Sequence, residues 1–209
     1  MTRTRPTTVL DESLAELRAT RARTLGLAEG LTQSQLERAP ARGGWSAGEV
    51  LDHVLLAEGT NRRQIDSLVG LARAGRRPEL SLSFSDVNVS VPFLPRAALP
   101  LLEAPLTLMN AFVPQCLRTY LTRNRLVPFR NPDQAEPRRG RAGAQLLRDL
   151  RDSFQETEAI FRDNPDLDYG GMFLQHPLLG RYDVPGLLRF MSAHEQRHQS
   201  QLSAVISGA

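Results

Sequence analysis

A chain of 209 residues, 41% of them hydrophobic, is long enough to bury a core of its own, and a single domain over residues 1–209 is the expected organisation. Its net charge is only +3, and all 26 basic residues are arginines, so the isoelectric point of about 9.7 reflects the absence of lysine more than a basic surface. Apart from Arg138, Arg139 and Arg141 the arginines are scattered without interleaved aromatics, which argues for a solvated surface and against a nucleic-acid partner.

No apolar run reaches membrane length, since the most apolar window, 97–120, is broken by Pro100, Glu103, Pro105 and Pro114. The basic residues near Met1 precede no apolar segment of signal-peptide length, and a cytoplasmic protein without membrane contact is expected. Cys116 is the single cysteine, so an intramolecular disulfide and a thiolate cluster are both excluded. Among Phe112, Val113 and Leu117 it reads as an inert buried thiol.

Leu10, Leu14, Leu17 and Leu25 recur at helical spacing behind Asp11 and Glu12 and predict a helix over 10–28. A short helical piece over 32–38 precedes the turn-rich link 40–44. The next helix opens with a capping box of Ser46 and Glu49, with Trp45 and Val50 as a hydrophobic staple, and extends to about Ala74. Nine of the fourteen prolines fall within 75–140, so this stretch reads as a long insertion, a lid or a cover for an apolar face. Within it Leu82, Phe84, Val87, Val89 and Val91 alternate weakly, and broken helices are expected over 97–126. A third amphipathic helix over 142–162 carries Leu146, Leu147, Leu150, Phe154 and Ile160. A loop over 164–182, containing His176, leads to a last helix that starts near Asp183 or Val184 with Pro185 in its first turn. The fold class expected is therefore all-α: a four-helix bundle with the proline-rich insertion between the second and third long helices.

Three of the four histidines occupy core faces of these helices. His194 and His198 share an arc with Leu187, Met191, Leu202 and Val205, while His53 shares its face with Val50, Leu56, Ala57, Leu68 and Leu71. Three neutral imidazoles from two helices would hold a divalent metal and leave a coordination position open. The alternative is that each is a core histidine bonded to a carbonyl or carboxylate. Residues 194–198 also spell HExxH, the pattern of zinc proteases. Those enzymes draw the third ligand from downstream, however, and after His198 no His, Asp or Glu remains. His53 is the upstream candidate. Glu195 lies about 100° around the helix from His194, so solvent exposure is expected, with the role of general base only a secondary reading. Glu49 could orient His53 from one turn away, although its capping role competes. His176 reads as a turn residue before proline.

The motif Trp45-Ser46-x-x-Glu49-x-x-x-His53, the link 36–45, the run His176-Pro177-Leu178-Leu179-Gly180 and the terminal His194-x-x-x-His198 together resemble the DinB superfamily, which includes thiol-dependent S-transferases and isomerases. The resemblance implies a DinB-like bundle, a divalent metal such as zinc or nickel on His53, His194 and His198, and a homodimer. It also implies a low-molecular-weight thiol of the mycothiol or bacillithiol kind, activated for attack on an electrophilic small-molecule substrate. Two alternatives stay open: a hydrolase using metal-activated water, and a DinB-like module that binds or dimerises without catalysis.

Overall fold

Short polar side chains set where the helices begin. Thr8 accepts a hydrogen bond from the Asp11 backbone N–H, and Asp11 accepts one in return from the Thr8 N–H at 2.9 Å, starting helix α1 (Val9–Ala28). The same reciprocal box, made by Thr32 and Gln35, opens α2 (Gln33–Glu37). Ser46 and Glu49 open α3 (Ala47–Arg73). At the far end of α3 the chain reverses through Gly75, whose φ of 65° suits glycine. There the Arg76 N–H reaches Leu71 O and the Gly75 N–H reaches Ala72 O, a Schellman ending. Helix α4 (Gly143–Asp163) has no side-chain cap of its own; Gln33 of α2 supplies one by accepting from the Gly143 N–H at 3.0 Å. Helix α5 (Val184–Ser207) carries Pro185 in its first turn, where Asp183 accepts from the Gly186 N–H at 2.7 Å.

The architecture is a computed structural model that describes residues 8–40, 43–83, 136–176 and 180–207. The four long helices form a closed square: α1 packs on α5 and α4, and α3 packs on the same two. Apolar residues fill two core clusters. One joins Leu17, Ile65, Leu68, Leu174, Tyr182 and Leu188, and the other joins Leu36, Val50, Leu51, Val54, Leu150 and Leu202. Between them runs a layer of buried polar side chains to which all four helices contribute: Arg21 and Thr24 from α1, His53 and Glu58 from α3, Thr157 from α4, Glu195 and His198 from α5.

The fold is mostly helical, as expected, but not all-α. Strand β1 (Glu79–Ser81) pairs in parallel with β2 (Phe173–His176), which pairs antiparallel with β3 (Gly180–Asp183). The stretch 164–182, read as a loop, contains a 3-10 turn (Tyr169–Gly171), all of β2 and all but the last residue of β3. Leu174 and Tyr182 face inward from the sheet and complete the first cluster. Burial of these alternate residues is what holds such short strands in place. The expectations for Phe84, Val87, Val89 and Val91, for the helices over 97–126 and for Cys116 lie outside the described residues. No described helix is long and apolar enough to cross a membrane.

Candidate metal centre

His53 stands on α3 one turn beyond the capping box, and His194 and His198 stand one turn apart on α5. Because α3 and α5 are adjacent in the square, the three imidazoles meet. His194 Nε2 lies 3.4 Å from His53 Nε2 and 3.3 Å from His198 Nε2. His53 and His198 are buried, and His194 is half-buried.

These contacts suit a shared cation better than hydrogen bonds among the rings. Both separations exceed the ordinary range for a hydrogen bond from N–H, about 2.7–3.2 Å. A neutral His194 has at most one proton at Nε2, so it could donate to only one neighbour. Two nitrogens at metal–nitrogen distances of about 2.0–2.1 Å in a tetrahedral site stand roughly 3.3–3.4 Å apart, which is the spacing found here. All three donor atoms lie within 4.8 Å of one another. At that upper bound a point about 2.4 Å from each still exists, so closure by a few tenths of an ångström completes the set.

Electrostatics and orientation favour the ligand state. Burial, then the neighbouring histidines and Arg197, push the His194 imidazole well below its ordinary pKa range, keeping it neutral and able to offer a lone pair. His198 Nδ1 lies 3.1 Å from Gln201 Oε1. An amide oxygen only accepts, so Nδ1 carries the proton and Nε2 presents its lone pair to the centre. Trp45 walls the cluster, its ring centroid 4.8 Å from that of His53 and 6.3 Å from that of His198.

The other residues singled out in the sequence lie elsewhere. Glu195 is not on a solvent face: it is 3% exposed, and its carboxylate accepts from Arg21 Nε at 2.9 Å, Arg21 Nη2 at 3.0 Å and Thr24 Oγ1 at 2.5 Å. It points toward α1, because α5 is covered on that side as well as on the side of α3. Glu49 accepts from the Ser46 N–H at 2.9 Å and from Arg139 Nε at 2.9 Å, so it caps the helix and pairs with the arginine. His176 is a strand residue opposite Gly180, not a turn residue, and belongs to no metal-sized group among the described residues. Burial lowers its pKa to about 4.

Sequence reasoning missed three features. Arg21 and Thr24 continue the buried stripe of α1 below Leu17, and only the 3–4 spacing from Leu17 signals it. Gln201, one turn from His198, is a partner of the ring, and nothing in its local sequence signals that role. The arginines at 138, 139 and 141 are not merely solvated. Arg141 Nη1 donates to Asp52 at 2.5 Å and Arg141 also pairs with Asp149. The Arg138 N–H donates to Asp52 at 2.7 Å. Burial works to raise the Asp52 pKa, but these donors hold it below the usual carboxylate range.

A helical bundle with a convergent three-histidine cluster, free of protein thiolate among the described residues, defines a class of candidate metal-dependent proteins. The chain belongs to the DinB superfamily, whose family model matches residues 16–202 and so takes in all three histidines. Comparison with curated proteins and with solved structures finds no match.

Proposed function

We propose that His53, His194 and His198 hold a divalent cation, zinc or nickel, and that the protein is a metal-dependent S-transferase acting with a low-molecular-weight thiol of the mycothiol or bacillithiol kind. The observation that carries this reading is that one donor nitrogen from each of the three imidazoles lies within 4.8 Å of the other two. A cation there acidifies a thiol, giving a strong nucleophile near neutral pH without a protein cysteine. The protein's own part is to present three neutral donors, to fix the His198 tautomer through Gln201, and to wall one side with the Trp45 ring. In the transfer, the thiol sulfur forms a bond to an electrophilic substrate carbon, the leaving group departs with its electron pair, and the thiol proton passes to solvent.

One observation disfavours hydrolysis with Glu195 as base. Its oxygens already accept from Arg21 and Thr24, so taking a proton would break a buried ion pair.

Trp45 is the sole tryptophan and provides the first test. Cobalt or nickel added to the metal-free protein should quench its fluorescence at one equivalent, and His194→Ala should abolish the response. An identical response in wild type and variant would refute the metal reading. Metal-loaded protein incubated with mycothiol or bacillithiol and a model electrophile should then give a conjugate detectable by mass. Conjugation that proceeds equally without metal would refute the transferase reading.

A further inference from the structure

The polar layer holds more charge than the three histidines explain. Arg21 stands between two carboxylates: Glu195, bonded as described, and Glu58, whose Oε2 lies 2.8 Å from Arg21 Nη2, an ion contact without hydrogen-bond geometry. Arg21 is 2% exposed, Glu58 4% and Glu195 3%. The hydroxyls around them donate inward: Thr24 to Glu195 Oε1 at 2.5 Å, and Thr157 to Glu58 Oε1 at 3.0 Å. The network by itself holds one guanidinium against two carboxylates, a formal surplus of one negative charge within a buried layer, while the Arg197 cation acts on the histidine side.

Sealing such a surplus away from water is costly unless something balances it. Its placement indicates what does. Glu195 follows His194 in the chain, and Glu58 lies on the helix that carries His53. Arg21, Glu58, Glu195 and His194 all line one small pocket, with room for about one water molecule. A divalent cation on three neutral imidazoles would bring two positive charges into the same layer.

We propose that the Glu58–Arg21–Glu195 network is the charge-balancing partner of the histidine site, its surplus negative charge raising the affinity of that site for a divalent cation. The inference rests on the reading that the three histidines hold a cation. Glu58 and Glu195 are positioning residues here: they act on the bound ion through the field and through His194, without touching it. Cation binding in turn relieves the buried surplus, so occupancy of the site and stability of the network rise together.

A merely structural cross-brace among α1, α3 and α5 makes the opposite prediction for one pair of variants. Glu58→Gln keeps shape and removes charge, whereas Glu58→Asp keeps charge and shortens the side chain. Zinc affinity, measured by competition with a chromophoric chelator, should fall about tenfold or more in Glu58→Gln and stay within about threefold of wild type in Glu58→Asp. Urea unfolding of the metal-free proteins should show Glu58→Gln no less stable than Glu58→Asp, because it leaves a neutral Arg21–Glu195 pair. Asn61 lines the same pocket and is half-buried. Asn61→Asp supplies a test that leaves the network intact, and it should tighten zinc binding severalfold. Wild-type affinity in Glu58→Gln, a loss confined to Glu58→Asp, or unchanged affinity in Asn61→Asp would each overturn the proposal while leaving the histidine site standing. A wild-type chain that binds no zinc would overturn the metal reading and this inference with it.

Discussion

Replacing Arg21 by methionine removes the only cation of a buried three-charge assembly, and the expected loss follows from what remains. Glu58 and Glu195, each under 5% exposed, would face each other without a counterion. Breaking a buried pair in this way costs about 3–5 kcal/mol. Arg21 Nη1 also donates to Leu150 O at 2.6 Å, and leaving that carbonyl unpaired adds about 1–3 kcal/mol. A loss of at least about 4 kcal/mol takes a large part of the roughly 5–15 kcal/mol available to a folded domain. It should lower Tm by at least about 8 °C at roughly 2 °C per kcal/mol. The assay is urea and thermal unfolding of metal-free protein, followed by circular dichroism. Burial works to lower the Arg21 pKa, and the Glu195 and Glu58 carboxylates overcome it and hold it above its ordinary value; the side chain thus stays charged at every practical pH. The triple variant Arg21→Met, Glu58→Gln, Glu195→Gln should recover more than half of the loss, since replacing a whole buried ion assembly is far milder than breaking it. A single-variant loss below about 1 kcal/mol, or a triple variant as unstable as the single one, would refute the reasoning.

Acid should weaken the metal-free fold from about pH 6.5 downward through its buried histidines. His176 binds its proton only near pH 4 when folded, but near 6.5 when unfolded. Nothing changes above 6.5, stability falls as pH drops from 6.5 toward 4, and the loss levels off below; the single-site linkage amounts to about 3 kcal/mol. His194, also depressed, adds in the same direction. Urea midpoints measured at pH 7 and pH 5 should differ accordingly, and His176→Asn should shrink the difference; equal midpoints in wild type would contradict it. Asp52→Asn should loosen the segment 136–141 on α3, because the Arg141 and Arg138 contacts lose their anion and only the Arg139–Glu49 pair still ties it to that helix. Limited proteolysis should then cut near Arg138 or Arg141 several times faster, and unchanged cleavage would show that the clamp does not hold the segment.

The long helices were legible because their signals are local. The Ser46–Glu49 box, the leucine spacing of α1 and Pro185 in a first turn each lie within one helix, and observed boundaries fall within a residue or two of expectation. The meeting of His53 with His194 and His198 was legible for the same reason: each lies on an apolar stripe. The sheet was not. β1 has three residues and finds β2 more than ninety positions away, so no local alternation announces it. The burial of Glu195 escaped notice because a stripe analysis assigns one inward face to a helix, and α5 has two, toward α3 and toward α1. Arg21 was hidden likewise, as a charged residue on a stripe is ordinarily read as the stripe's edge.

The square of helices places the first against the last, with consequences for how the chain acquires its centre. His53 and His194 are separated by 141 positions, and Arg21 and Glu195 by 174. Closing such loops costs entropy that grows only slowly with length, but contacts this distant are rewarded late, after local helices have formed. The centre is therefore among the last parts of the molecule to assemble. During refolding, the arrival of metal-dependent quenching at Trp45 would time the docking of α5 into the bundle, making the site a clock for the final long-range step.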